Sequence, residues 1–259
     1  MAIRTIVVGT DLRGSGERAL KLARQTAQST RATLWLVHAI ESETSVDELE
    51  QLRQLCQRDG LSVQTSCEQG EPWETILRTA LSVKADLIAV GEPESSVGKA
   101  KRALGSTAER VISQAPCSVL VACGRIRDDY RRARVAVGVD FSPHSVEAVR
   151  WARDVARAIG GEIAFIHVES PTGAGGLSTA ARPRLERLVV AEGLESSETS
   201  VHVVEGPVGS TLCQTVEGLG ADLLFVGHRG EDRQRGETLG STSKDCLRHS
   251  SVPVIVVRD

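Results

Sequence analysis

The stretch VAVGVDFSPHSVEAVRWARDVARAIGGEIAFIHVE, residues 135–169, decides the fold of this chain. It opens and closes on short β-branched runs without polar alternation, a pattern typical of strands buried on both faces of a parallel sheet. Between these runs, apolar residues recur at helical spacing from Val146 to Ile159. Ser145 is the predicted N-cap of this helix and Gly160 its predicted stop. The stretch therefore predicts one right-handed βαβ unit.

The same pattern is written twice in the chain. IVVGTDLRGSGERALKLARQTAQSTRATLWLVHAI, residues 6–40, repeats it at a constant offset of 129 residues. This offset aligns Asp11 with Asp140 and His38 with His167. A repeat of this length indicates two copies of one structural unit.

The later strands of the two copies match at a larger offset. ADLIAVG at 85–91 corresponds to ADLLFVG at 221–227, an offset of 136 residues. The second copy therefore carries seven extra residues, which we place at the glycine-rich PTGAGGL, residues 171–177. We expect this insertion to be a flexible surface loop.

Two tandem α/β domains follow from the alternation of apolar strands and amphipathic helices. The sequence predicts domains at residues 1–124 and 134–259, joined near the charged stretch 123–134. Each domain is expected to hold five parallel strands in a doubly wound, Rossmann-like sheet with helices on both faces. In such sheets ligands bind outside the carboxyl ends of the strands, where the strand order reverses.

Composition limits the kinds of partner. The 259 residues are 41 % hydrophobic and 25 % charged, with a net charge of −3 and only 3 % aromatic residues, which argues against nucleic acid. No apolar run approaches the roughly 18 residues of a membrane span, and the N-terminal apolar run is short for a signal peptide, so we expect a cytoplasmic protein without membrane contact. The six cysteines form no CxxC pair, and the pattern predicts no metal site in the protein.

A glycine-rich loop, VGHRGEDRQRGETLGSTSK at residues 226–244, follows the fourth strand of the second copy. Glycines let a phosphate approach backbone N–H groups, and a helix starting at Ser241 would present its positive end to an anion. The alternative is that Gly227 and Gly230 serve turns and Gly240 begins a helix. The position after a buried parallel strand favours a phosphate site.

These motifs resemble the nucleotide-binding members of the universal stress protein family, and the resemblance covers nearly the whole chain as two tandem copies. The second copy is similar in three places: the strand end VGVDFSPHS, the spacing of GxxG, nine residues and GST from Gly227 to Thr242, and the closing strand PVIVV.

The resemblance implies an ATP-type nucleotide, accompanied by Mg²⁺, between the first and fourth strands of the second domain. Asp140 would face the ribose or adenine, although a turn aspartate bonded to its own backbone is the alternative. Ser142 and Ser145 are expected to be helix caps, and His38 and His167 to be structural. Val139 and Val168 would line the base, and the phosphates would meet Gly227, Gly230, Gly240, Ser241 and Thr242.

The first copy departs from this pattern in GEPESSVGKAKRALGST, residues 91–107. Glu94 stands where the second copy has Gly230, and Glu92 and Glu94 would lie close to a phosphate, where like charges oppose binding. We therefore expect an asymmetric tandem with one competent site, in the second domain.

The expected function is that of an ATP-binding stress-response sensor or regulator rather than an enzyme. Hydrolysis would at most be slow, because no P-loop lysine motif and no positioned base is evident. A nucleotide-free interaction scaffold is the first alternative, and an ATP-using enzyme of the same architecture is the second. The family resemblance further implies an internal pseudo-dimer of the two halves through their closing strands, a homodimer as a further option, and an unidentified regulatory protein partner.

Overall fold

A computed structural model describes residues 3–39, 44–92, 105–170, 180–194, 198–229 and 239–258. The chain divides into two compact units, residues 2–126 and 127–259, here named domain 1 and domain 2. The division falls inside the charged stretch 123–134. The insertion predicted at residues 171–177, together with Gly230 and Glu94, lies outside the described residues.

Domain 1 alternates strands and helices. Its elements are β1 (Thr5–Gly9), α1 (Gly14–Thr30), β2 (Thr33–Ala39), α2 (Thr44–Arg58), β3 (Val63–Glu68), α3 (Pro72–Ser82), β4 (Leu87–Gly91), α4 (Ser106–Gln114) and β5 (Ser118–Ala122). All strand pairs are parallel, in the order β3-β2-β1-β4-β5.

Domain 2 repeats this arrangement. Its elements are β6 (Arg134–Gly138), α5 (Pro143–Ile159), β7 (Glu162–Glu169), α6 (Ala181–Ala191), β8 (Thr199–Glu205), α7 (Val208–Gly218), β9 (Leu223–Gly227), α8 (Ser241–His249) and β10 (Val254–Val257). The order is β10-β9-β6-β7-β8, again all parallel. The strand order reverses between β6 and β9, which places the expected ligand position at their carboxyl ends.

The predicted fold class is confirmed: two tandem doubly wound α/β domains, each with a five-stranded parallel sheet. In domain 2, α7 and α8 pack against each other while α5 packs on β6, β9 and β10. Large apolar side chains such as Phe165 and Phe225 are fully buried in this sheet, and each stabilises the fold by about 2–3 kcal/mol through removal from water. In the described part of the chain, no helix is both long and apolar enough to cross a bilayer.

The first helix of domain 2 begins three residues earlier than the predicted cap implies. Ser142, not Ser145, is the N-cap of α5, and its Oγ accepts a hydrogen bond from the backbone N–H of Ser145. Pro143 then occupies the first helical position, where its fixed φ suits a helix and its missing N–H costs nothing. Gly160 ends the helix in the left-handed conformation, as predicted, with φ 62°.

The charged stretch between the copies is folded onto domain 2. Asp222, at the start of β9, has a side chain only 4 % exposed. Its carboxylate accepts hydrogen bonds from Nη1 of Arg127 at 2.8 Å and from the backbone N–H of Arg134 at 3.0 Å. Tyr130 is buried, and its hydroxyl accepts from the backbone N–H of Arg127. Residues 127–134 are thus part of the domain 2 structure.

Candidate functional site

A cleft of about 610 Å³ opens where the strand order of domain 2 reverses. The carboxyl ends of β6, β7 and β9 supply its floor, and the N-terminus of α8 supplies one wall. The cleft brings together most of the residues selected from the sequence, seven of the eight: Val139, Asp140, Val168, Gly227, Gly240, Ser241 and Thr242.

Asp140 is both a turn residue and a cleft residue. Its Oδ1 accepts hydrogen bonds from the backbone N–H of Ser142 at 3.0 Å and from the Ser142 hydroxyl at 2.6 Å. This is the side-chain turn weighed as the alternative to a ligand role. Asp140 nevertheless lines the cleft, so the turn holds this residue at the edge of the site.

Ser145 holds the same turn from inside the helix. Its hydroxyl donates to the carbonyl oxygen of Ser142 at 3.0 Å and accepts from the backbone N–H of Asp140 at 3.3 Å. The cap role expected of Ser142 is confirmed, and Ser145 braces the turn while also lining the cleft.

The N-terminus of α8 faces the cleft without a side-chain cap. Gly240 is the N-cap residue and has no side chain to cap the helix, and the first turn of α8 holds no acidic residue. Ser241 is exposed and Thr242 is half-buried, and both line the cleft. Backbone N–H groups and the positive end of the helix are therefore available to an anion, with two hydroxyl groups beside them.

Several hydrogen bonds fix the two ends of the loop between β9 and α8. The Ser243 hydroxyl donates to the carbonyl oxygen of Gly227 at 2.7 Å. The backbone N–H of Gly240 donates to the carbonyl oxygen of His228 at 2.8 Å, and the His228 N–H donates to that of Val257 at 2.9 Å. These bonds fix the distance between the end of β9 and the start of α8. The middle of the loop lies outside the described residues.

Gly227 is required by a close approach of the backbone. A Cβ added there would lie 2.8 Å from the carbonyl carbon of His144, at the start of α5. Such a contact would force α5 and β9 apart, so only glycine fits at this strand end.

His167 lies on the opposite side of the cleft from α8. Its Nδ1 is 2.7 Å from the carbonyl oxygen of Val139. Its ring packs against Phe141, with centroids 4.8 Å apart and the planes tilted by 48°. The guanidinium carbon of Arg184, on α6, lies 4.0 Å from the centroid of the Phe141 ring. These contacts agree with the interpretation of His167 as a structural residue at the edge of the cleft.

Sequence reasoning missed cleft residues that come from outside the two motifs: Ile166, Ser170, Val208 and Leu212. Arg229, in the loop after β9, also lines the cleft. Leu212 packs against Gly138, where an added Cβ would lie 2.8 Å from the Leu212 Cδ2, and Ile76 packs against Gly9 in the same way in the first copy. The contact between Gly138 and Leu212 places α7 beneath the cleft.

The model of the universal stress protein family matches the chain twice, over residues 2–122 and 131–258. This chain belongs to the universal stress protein family. Universal stress protein Rv2005c of Mycobacterium tuberculosis H37Rv is 29 % identical over 215 residues, covering 76 % of this chain and 70 % of that protein. Universal stress protein Rv2623 of the same strain is 31 % identical over 140 residues, covering 48 % of this chain and 47 % of that protein. The match therefore spans about half the length of Rv2623.

Among solved structures, a universal stress protein from Archaeoglobus fulgidus DSM 4304 superposes with a TM-score of 0.79 at 23 % identity. The superposition covers 100 % of this chain and 99 % of that one. At this identity the likeness supports the fold alone.

The two universal stress protein domains differ where domain 2 has its cleft. Glu92, which follows β4 in domain 1, is 3 % exposed and its carboxylate lies 3.4 Å from Nη2 of Arg18. Arg18 also donates to the carbonyl oxygens of Ala122 and Gly124. The charge of Glu92 is therefore neutralised inside domain 1, whereas Glu94, the second carboxylate expected to oppose a phosphate, lies outside the described residues.

Helix α4 of this universal stress protein also differs in charge from its counterpart α8. Its first turn carries Glu109, where α8 has Lys244. Arg110, the next residue of α4, stacks on Trp73, and its guanidinium carbon lies 5.1 Å from the centroid of the Trp73 ring. In domain 2 the position of Trp73 is Gly209, which lies directly against Asp245 of α8. The helix pair in domain 2 is therefore closer at this point, and its N-terminal turn is more favourable to an anion.

Proposed function

We propose that domain 2 of this universal stress protein binds an adenine nucleotide of the ATP type. The observation that carries the proposal is that Asp140 and the residues around Gly240, which lie 100 positions apart, meet in one cleft at the strand reversal. The base would lie near Val139 and Val168, and the ribose near Asp140. The phosphates would meet Gly227, Gly240 and the start of α8, with Gly230 expected to join them.

The charges of the cleft support this orientation. Asp140, at the end of β6, is the anionic side chain among the described lining residues. Arg229, beside the start of α8, is the cationic one, is exposed, and makes no hydrogen bond or ion pair with a described residue. A polyphosphate would be repelled from the end of the cleft at Asp140 and attracted to the end at Arg229 and the start of α8.

Mg²⁺ would accompany the phosphates. The hydroxyl oxygens of Ser241 and Thr242 are hard donors of the kind that Mg²⁺ accepts beside phosphate oxygens and water. When bound, the ion would neutralise part of the phosphate charge. Within the described residues there is no group of three His, Cys, Asp or Glu side chains placed to hold a metal.

The role proposed for nucleotide binding is regulatory, in the cytoplasm, with a protein partner that reads the bound state. A catalytic role beyond slow hydrolysis would need a base beside the phosphates. Among the described residues at that end of the cleft, Ser241, Thr242 and Arg229 would position and neutralise phosphates and are poor bases at neutral pH.

The first alternative is a nucleotide-free scaffold. It is supported by domain 1, where an internal ion pair lies at the carboxyl ends of the strands. An ATP-using enzyme of the same architecture is the remaining alternative, and turnover with a second substrate would favour it.

Calorimetric titration of nucleotide-stripped protein with ATP and Mg²⁺ tests the proposal. The variant Gly230→Glu, which copies Glu94 of domain 1, places a carboxylate in the phosphate loop and is expected to weaken binding at least tenfold. Saturable binding that this substitution removes supports nucleotide binding by domain 2. Absence of binding by the unmodified protein would overturn the proposal in favour of the scaffold.

A further inference from the structure

We propose that the paired imidazoles of His144 and His228 form an acid-sensitive switch, which releases the start of α5 from the end of β9 when the rings take up protons. Neither histidine lines the cleft of domain 2, and the switch does not depend on which ligand the cleft binds. The proposal rests on the burial of the two rings, the distance between them and the backbone that each residue holds.

The two imidazoles are buried against each other. His144, at the second position of α5, is 8 % exposed, and His228, directly after β9, is 6 % exposed. Their ring centroids lie 4.5 Å apart and the ring planes meet at 70°, an edge-to-face arrangement. Uncharged rings attract each other in this geometry. Two protonated rings at this distance would repel each other strongly, because a buried site screens charge poorly.

The backbones of both histidines connect elements of domain 2. Gly227, the last residue of β9, lies directly against His144, since a Cβ added to Gly227 would be 2.8 Å from the His144 carbonyl carbon. The N–H of His228 donates to the carbonyl oxygen of Val257 at 2.9 Å. The His228 carbonyl oxygen accepts from the N–H of Gly240, the N-cap of α8, at 2.8 Å. Separation of the two rings would therefore disturb the starts of α5 and α8 together.

The surroundings of the pair oppose positive charge on it. His144 lies in the first turn of α5, where the positive end of the helix disfavours a proton on the ring. Arg229 follows His228 directly, and Arg258 follows Val257. Glu147 pairs with Arg150, and Asp140 accepts from Ser142, so both carboxylates already have partners. The described charged or titratable side chains at this end of the packed elements are Asp140, Glu147, His167, Glu169, Arg229, Lys244, Asp245 and Arg258.

Domain 1 has a different pair at the same two positions. Ser15 of α1 lies against Gly91 as His144 lies against Gly227, and Glu92 follows β4 as His228 follows β9. The Glu92 carboxylate is neutralised by Arg18 at 3.4 Å. Neither a serine nor an ion pair of a carboxylate with a guanidinium changes its charge between pH 7 and pH 5. Domain 1 is therefore an internal reference without the switch.

Hydrogen exchange of the nucleotide-stripped full chain, read as protection factors at pH 7 and pH 5, measures how often each element opens. The probes are the amides of α8 and those of α5 from Val146 onward, and the amides of α1 are the reference. His144→Gln and His228→Gln are made together and singly, because glutamine keeps a polar amide but does not titrate. His249→Gln, at an exposed histidine in the last turn of α8, is the matched control. Thermal unfolding at pH 7 verifies that each variant is folded.

Each buried, uncharged histidine shifts the equilibrium toward the open form by about tenfold per pH unit below its ordinary titration range near pH 6.5. We expect protection in α5 and α8 to fall at least about tenfold from pH 7 to pH 5 in the unmodified protein and in His249→Gln, while protection in α1 is unchanged. The double variant should show no such fall, and each single variant a smaller one.

Constant protection of α5 in the unmodified protein would overturn the inference. An equal fall in the unmodified protein and in the double variant would also overturn it. If the double variant is not folded at pH 7, the single variants decide in the same way, since a fall as large as in the unmodified protein in both of them would contradict the switch. Because no nucleotide is present, either result leaves the proposed function to its own test.

Discussion

The hydroxyl of Ser243 donates a hydrogen bond to the carbonyl oxygen of Gly227 across 2.7 Å, joining the first turn of α8 to the end of β9. Ser243 is 2 % exposed, so this bond is shielded from water. The corresponding residue of domain 1 is Ala108, which has no hydroxyl to donate. The start of the helix that faces the cleft is thus tied to the sheet by a bond that domain 1 cannot make.

Replacing Ser243 by alanine should loosen the start of α8. We expect Ser243→Ala to lower the free energy of unfolding by about 1 kcal/mol, because a buried hydrogen bond is lost, and to weaken ATP binding several-fold. Urea unfolding and calorimetric titration measure the two effects. Ser210→Ala is the control, since Ser210 is exposed on α7 and its hydroxyl donates to the carbonyl oxygen of Pro207 at the start of its own helix. Equal ATP affinity in Ser243→Ala and the unmodified protein would show that the bond does not position the site.

The contact between α7 and α8 should depend on the absence of a side chain at Gly209. A Cβ there would lie 2.4 Å from the Cβ of Asp245, so Gly209→Ala must push the helices apart. We expect a loss of about 1–3 kcal/mol in the free energy of unfolding. Because α8 carries the cleft wall, ATP affinity should fall as well.

Gly218 provides the matched control on the same helix. An added Cβ at this position meets nothing within 4 Å. Gly218→Ala should therefore be neutral or slightly stabilising, by up to about 1 kcal/mol. A similar loss of stability in both variants would mean that the close contact at Gly209 is not the cause.

The stability of domain 1 should depend on pH through Asp11. Burial raises the pKa of this carboxyl, but hydrogen bonds from Ser15, Arg13 and Gly16 outweigh it and hold the pKa below its ordinary value of 3.8. Since the folded pKa is lowered, the stabilisation is complete above about pH 4 and is lost as the pH falls through the folded pKa.

Asp11→Asn should remove this component. The stability of the unmodified protein is expected to fall more steeply than that of the variant as the pH is lowered from 4 to 2, because only the unmodified protein has to protonate this hydrogen-bonded carboxylate. Urea unfolding at a series of pH values measures the difference. Asp47→Asn, on α2, is the control, since Asp47 is exposed and has no hydrogen bond to a described residue. Identical pH profiles for Asp11→Asn and the unmodified protein would contradict this account.

The fold could be read from the sequence because its signals are local and doubled. The recurrence of residues 6–40 at 135–169 fixed the strand and helix pattern independently in each copy. The cap of α5 was misplaced at Ser145, although Ser142 followed by Pro143 is the stronger start signal, because proline suits the first helical position.

The site was only partly readable, for a physical reason. Gly227, Gly240 and Asp140 belong to motifs whose spacing is visible in the chain. Leu212 reaches the cleft through tertiary packing of α7, and no local pattern marks that contact. The orientation of His167, set by its hydrogen bond to the Val139 carbonyl, likewise exists only in three dimensions.

The central claim, one nucleotide site per chain formed by domain 2, is tested most directly by the stoichiometry of ATP binding in a matched pair of variants. Ser241→Glu and Ser106→Glu place a carboxylate at the first position of α8 and of α4. An acidic residue there favours the helix itself but repels a phosphate. We predict one ATP per chain for the unmodified protein and for Ser106→Glu, and none for Ser241→Glu. Two sites per chain, or loss of binding in Ser106→Glu with retention in Ser241→Glu, would contradict the account.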